Sequence, residues 1–112
     1  FQYFTFKAGN SLRSVPVDDI CFFETSPKAH HVILHGKNQR IEFLGSLNDI
    51  AQHLNDRFMK IHRSYIVALD KIDEINLKHN TVRAGGEILS LSRKEKSKLL
   101  ERMNTEGTFR KP

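Results

Sequence analysis

Residues 20–43 decide the fold: Ile20-Cys21-Phe22-Phe23-Glu24-Thr25-Ser26-Pro27-Lys28-Ala29-His30-His31-Val32-Ile33-Leu34-His35-Gly36-Lys37-Asn38-Gln39-Arg40-Ile41-Glu42-Phe43. Ile20 to Glu24 is apolar enough for a strand buried on both faces. Ser26 to Ala29 reads as a loop. His31 to His35 is a second strand, centred on Val32-Ile33-Leu34. Gly36-Lys37-Asn38 turns the chain, and Arg40-Ile41-Glu42-Phe43 alternates polar with apolar, as a half-buried strand does.

The same grammar extends outward. Tyr3 to Lys7 alternates, with Phe4 and Phe6 on one face, and Gly9-Asn10 turns it into a weaker strand over Leu12 to Val17, where Pro16 marks an edge or an end. Asp18-Asp19 breaks the pattern. Beyond residue 43, Ser46 is suited to cap a helix whose apolar face is Leu47, Ile50, Ala51 and Leu54, with Asp49 complementing the positive end. Strands resume at Phe58 to Ile61, Tyr65 to Leu69 and Ile72 to Leu77. Thr81 to Ala84 and Glu87 to Leu91 flank Gly85-Gly86, a hairpin signal because both glycines tolerate positive φ. Ser92-Arg93-Lys94-Glu95 reads as a capping box opening a last helix with a Leu99, Leu100, Met103 stripe. Many short strands with two helices argue for a mostly β, mainly antiparallel fold.

Composition sets the outer bounds. The chain has 112 residues, with 18 Lys and Arg against 13 Asp and Glu, a formal net charge of +5. That length fits one domain, able to bury roughly 65% of its unfolded surface. The single cysteine, Cys21, excludes an intramolecular disulfide framework and the common multi-cysteine zinc sites, and reads as a small buried apolar residue. No apolar run reaches the ~18 residues a membrane-spanning helix needs, and no signal peptide is visible, so a cytoplasmic location without membrane contact is expected.

Catalytic and metal chemistry find little support. On an extended strand His31 and His35 share a face but stand about 13 Å apart at roughly 3.3 Å per residue, too far to ligate one metal. His62 and Ser64 could share a strand face, yet no Gly-x-Ser-x-Gly elbow surrounds Ser64. The glycines form neither a phosphate loop nor a dinucleotide fingerprint. No catalytic residue, metal ligand or cofactor is therefore assigned. The basic residues are more suggestive: Lys28, His30 and His31 at a loop, His62-Arg63 between two strands, and Arg93, Lys94, Lys96, Lys98 and Arg102 on the last helix against only Glu95 and Glu101. Converging on one side, they would track phosphates. The phenylalanines alternate like core residues and do not form a stacking platform for single strands.

Five landmarks, in order and in register, carry a family resemblance: Asp19-Ile20-Cys21-Phe22-Phe23-Glu24; Gly45-Ser46-Leu47-Asn48-Asp49-Ile50; His62-Arg63-Ser64-Tyr65-Ile66-Val67; Leu69-Asp70-Lys71-Ile72-Asp73-Glu74-Ile75; and Leu89-Ser90-Leu91-Ser92-Arg93. Over nearly the whole chain the sequence resembles a LytTR-type DNA-binding domain of a bacterial response regulator, closest to regulators of peptide-pheromone and quorum-sensing systems. The resemblance implies a β-β-β sandwich of about ten short strands with two small helices over residues 1–104, followed by a flexible tail over 105–112. It implies a transcription activator whose output domain follows a receiver domain phosphorylated by a sensor histidine kinase, which the start at Phe1 rather than Met would suit. It implies loops entering successive major grooves of double-stranded DNA at paired direct repeats bound by two protomers.

The base-reading positions it implies are His30, Arg63 and Arg93. Arginine can bond guanine O6 and N7 bidentately. Lys28, His31, Lys60, His62, Ser64, Lys94 and Lys96 are implied to grip phosphates, which sets register without reading sequence. Ala68 stands where the family usually has Asn, so whatever that Asn holds is lost here. A regulatory β module that binds protein or RNA is the competing reading, and it predicts binding indifferent to duplex sequence. A histidine-based metallohydrolase is a third, and it would show retained zinc or chelator-sensitive turnover.

Overall fold

The computed structural model describes residues 2–105. Its strands are β1 (Tyr3–Ala8), β2 (Ser11–Pro16), β3 (Ile20–Thr25), β4 (His31–Gly36), β5 (Arg40–Leu44), β6 (Phe58–His62), β7 (Tyr65–Ala68), β8 (Ile72–Asn76), β9 (Thr81–Ala84) and β10 (Glu87–Ser90); its helices are α1 (Leu47–His53) and α2 (Arg93–Thr105). Short 3₁₀ turns at Val17–Asp19 and Leu69–Lys71 lead into β3 and β8. The expected tail lies, beyond Thr105, outside the described residues.

The strands form three antiparallel sheets. The central one has five strands in the order β5-β4-β3-β7-β6, flanked by a β1-β2 hairpin and by a three-stranded β10-β9-β8 sheet. Alternation along each central strand sends neighbouring side chains to opposite faces. Phe23, Ile66, Phe58, Val32 and Leu34 join Phe6 and Val15 of the hairpin, with Leu47 and Ile50 of α1, in one core. Phe22, Val67, Met59 and Ile61 join Val82, Ala84 and Leu89 of the outer sheet, with Leu99 of α2, in a second core. The sandwich expected from the resemblance is therefore a stack of three layers with two cores. Each large side chain removed from water this way stabilises by roughly 1.5–3 kcal/mol.

Local details follow the sequence closely, with departures at helix and strand ends; at the expected capping box the Glu95 N–H donates to the Ser92 carbonyl at 3.1 Å rather than to its hydroxyl. Ser46 caps α1 by accepting from the Asp49 N–H at 3.2 Å, and β2 ends at Pro16 in the two-stranded sheet. The expected α1 face is shorter than its periodicity: Leu47 and Ile50 are buried, Ala51 is exposed, and Leu54 sits past the last helical residue as a half-buried extended cap. Likewise β8 ends at Asn76, leaving Leu77 outside it and 48% exposed. Gly85 and Gly86 take φ of +59° and +78° between β9 and β10, the conformation that selected glycine there.

One end of the central sheet is sealed by α2. β6 is an edge strand with its outer side unpaired by any strand. α2 runs beside it: the Ser92 N–H donates to the Ile61 carbonyl at 2.8 Å, and the Arg102 guanidinium donates to the carbonyls of Phe58, at 3.3 Å, and Asp56. Covering an edge in this way blocks pairing with another chain.

Candidate nucleic-acid interface

β3 and β6 both run antiparallel to β7. They therefore run parallel to each other and finish at the same end of the central sheet. The Thr25 N–H donates to the Ser64 carbonyl at 3.1 Å, fastening the end of β3 to the β6–β7 turn. Three connections meet here: the β3–β4 loop, the β6–β7 turn and the entry to α2.

The β3–β4 loop is built around Ser26, whose side chain is buried. Its hydroxyl donates to the Glu42 carboxylate and accepts from the Lys28 N–H at 2.9 Å. The Ser26 N–H donates to the His31 carbonyl at 3.0 Å, closing the loop. His30 lies at its tip, exposed and left-handed at φ +61°. Few residues with a Cβ adopt that conformation, though histidine tolerates it better than most. Here the Gly45 N–H donates to the His30 carbonyl at 2.9 Å. His31 Nδ1–H donates to the Ala29 carbonyl at 2.8 Å, and Lys28 extends from the loop, exposed.

At the β6–β7 turn, His62 Nδ1 accepts from the Ser64 N–H at 3.1 Å, which in the neutral ring leaves the proton on Nε2. The His62 ring rests against Tyr65, centroids 5.7 Å apart, and Arg63 is exposed at the tip. Two residues back, Lys60 Nζ donates to Asn48 Oδ1 at 2.6 Å. The Ser92–Ile61 bond then brings Arg93 and Lys94, both exposed, beside the strand that leads into this turn.

His30, His31, Lys60 and Arg63 line one hollow of about 250 Å³ together with Thr25, Val32, Gly45, Ser46, Leu47 and Asn48; none of these ten residues is acidic. The ion pairs lie elsewhere. Arg57, just before β6, holds Asp18 at 2.7 Å and Asp70 at 3.2 Å at the opposite end of the central sheet, and the Asp18 hydrogen bond raises its guanidinium pKa further. Arg83 pairs with Asp73 at 2.7 Å. Among the described residues, no ion pair engages Lys28, Arg63, Arg93 or Lys94.

Most of the residues expected at the site are thus grouped: His30, His31, Lys60 and Arg63 around the hollow, His62 and Ser64 in the adjoining turn, Lys28 on the loop, Arg93 and Lys94 on the neighbouring helix start. Lys96 differs, because its Nζ is engaged by the Leu77 carbonyl at 2.9 Å. Asn48 went unnoticed in the sequence, where a polar residue in a first helical turn looks like ordinary solvent-facing surface. Among the described residues no group of three or more His, Cys, Asp or Glu side chains gathers as a metal site, and no helix is long and apolar enough to cross a membrane.

Three stacked antiparallel sheets with an acid-free cationic hollow at one end define the class: a β-sandwich domain with a surface suited to a polyanion. A profile of the LytTr DNA-binding domain matches residues 10–104, and the chain belongs to that family. It is 42% identical over 76 residues to accessory gene regulator protein A of Staphylococcus aureus, and 41% identical over the same length to its namesake in Staphylococcus epidermidis. Each alignment takes in 68% of this chain and 32% of the staphylococcal protein, so the chain spans about a third of those relatives' length. A LytTr DNA-binding domain from Bacillus cereus superposes with a TM-score of 0.73 at 23% identity, over 88% of this chain and 94% of that one, which establishes the shared fold.

Proposed function

We propose that this chain is the sequence-specific, double-stranded DNA-binding output domain of a two-component response regulator, a cytoplasmic transcription activator of the peptide-pheromone, quorum-sensing type. The observation that carries this reading is the gathering of His30, Arg63 and Arg93, all exposed, on three hydrogen-bonded connections at one end of the sandwich. Loops, rather than a recognition helix, then reach base edges in successive major grooves. Arg63 and Arg93 suit guanine O6 and N7, and His30 can donate to a base acceptor. Lys28, His31, Lys60, His62, Ser64 and Lys94 hold phosphates around them; Lys96 would have to leave the Leu77 carbonyl to do the same.

The relatives named accessory gene regulators support the regulatory part of the proposal. In it, a receiver domain phosphorylated by a histidine kinase brings two protomers onto paired direct repeats, spaced by about one turn of 10–10.5 base pairs or a multiple. No catalytic step is involved. Selection of bound sequences from a random duplex library tests the whole reading. A spaced repeat is the expected product. Enrichment of no duplex sequence overturns it in favour of a module that binds protein or RNA.

A further inference from the structure

We propose that the hollow between the β3–β4 loop, α1 and the β6–β7 turn is a seat for a single phosphate group, and that Asn48 is a positioning residue that holds the Lys60 ammonium for it. The inference deepens the DNA-binding reading and rests on it for the source of that phosphate, a duplex phosphodiester rather than a free ion.

The lining gives the chemistry. Two basic side chains, Lys60 and Arg63, two histidines, His30 and His31, and the polar Thr25, Ser46 and Asn48 share the concavity with no carboxylate. A concavity of about 250 Å³ has room for a phosphate, and its donor-rich lining without an acid favours an oxyanion over an apolar or cationic group. Phosphate oxygens accept most strongly from charged donors, and Lys60 supplies one as a compact point charge, while Arg63 on the rim keeps its planar fork for a base edge.

Asn48 supplies the order. A lysine head on its four-carbon stem samples many rotamers. The 2.6 Å bond from Lys60 Nζ to Asn48 Oδ1 selects one of them without neutralising the charge, because the acceptor is an amide. Two N–H groups of the ammonium remain for a ligand, and the Asn48 amide nitrogen brings two more donors to the same wall. Asn48 is exposed, so its replacement leaves both cores untouched.

Two measurements on the 112-residue chain test this. In the first, inorganic phosphate is titrated at constant ionic strength against a chloride control while backbone amide NMR shifts are followed. Shifts confined to residues 25–32, 45–48 and 60–64, abolished in Lys60→Met and weakened severalfold in Asn48→Ala, are expected. Asn48→Asp keeps an acceptor for Lys60 but adds a negative charge, so it should bind phosphate worse than Asn48→Ala; wild-type binding by Asn48→Asp reduces Asn48 to a structural acceptor and overturns its role. In the second, single neutral methylphosphonates are walked along the selected duplex. One position should weaken binding as much as Lys60→Met does, with no further loss when the two are combined, and Lys60→Met should flatten the log K against log salt slope by about 0.9. Absent or scattered phosphate shifts, or an unchanged slope in Lys60→Met, overturn the seat even if the duplex is read specifically. Confined phosphate shifts with no sequence preference in duplex selection would retain the seat and remove the DNA reading.

Discussion

The backbone N–H of Ser92 meets the carbonyl of Ile61 at 2.8 Å. This bond joins the residue just before α2 to the strand that ends in His62. It places Arg93, far along the chain from Arg63, on the same end of the molecule, and it makes the pair of arginines a property of the tertiary fold.

Arg63→Ala and Arg93→Ala should each weaken binding to the selected duplex by roughly 1–3 kcal/mol and relax preference at one base position. Lys94→Ala should instead weaken binding equally on selected and scrambled duplexes and lower the salt slope by about 1. Competition binding with point-substituted duplexes separates the two behaviours. Equal losses on all sequences for both arginines would assign them to phosphates.

His30 offers a separation of folding from binding. Its φ of +61° is disfavoured for any residue with a Cβ by roughly 1–2 kcal/mol. His30→Gly should therefore match or exceed the wild-type denaturation midpoint while losing specific binding. His30→Ala should lose binding without the gain in midpoint. A fall in stability for the glycine variant would mean that the imidazole itself holds the loop.

Gly85 and Gly86 have nearly the same backbone and opposite surroundings. A Cβ on Gly85 would stand 2.9 Å from Cys21 Cβ and 3.1 Å from its Sγ, whereas a Cβ on Gly86 meets nothing within 4 Å. Gly86→Ala should cost about 1 kcal/mol from its left-handed φ alone, and Gly85→Ala about 1–3 kcal/mol more, because the outer sheet must move off β3. Urea unfolding of the two variants checks the order, and equal losses would rule out close approach at Cys21.

Alkaline pH should destabilise the fold. Burial, the largest cause, pushes the Cys21 thiol above its ordinary 9.0; Asp70 and Asp19 add to this and Lys71 opposes it. Burial followed by Glu24 and Glu87 does the same to the Tyr65 phenol, ordinarily at 10.0. Both groups release their protons more readily when unfolded, so their contribution is intact below about pH 9 and is lost as pH climbs through the folded values. The urea midpoint should fall from about pH 9 upward, and Cys21→Ala should make that fall shallower. The native thiol should also react slowly with an alkylating reagent at neutral pH.

Much of this was legible in the residues themselves. Phe4 and Phe6 alternate because one face of their strand is buried, and Phe22-Phe23 are both apolar because their sheet has a layer on either side. What the pattern could not give was partnership. The pairing of Phe22 with Val67 joins segments far apart in sequence, and no local period records it. Periodicity also overran real ends. Leu54 continues the α1 stripe on paper but caps the helix in extended form, and Leu77 continues the β8 alternation but lies in the turn. Around the hollow, the basic clusters were legible in the chain, while Asn48 and the Leu77 carbonyl were not, since both act through bonds to lysines distant in sequence.

The helix that presents Arg93 also shields β6, and this binds two fates together. Were α2 to melt or be clipped by a protease, the domain would lose the proposed Arg93 contact and bare a strand ready to template onto a second molecule at the same moment. Damaged copies would then drift toward self-association rather than linger as inert monomers. One short helix thus couples the proposed grip on DNA to a guard against polymerisation.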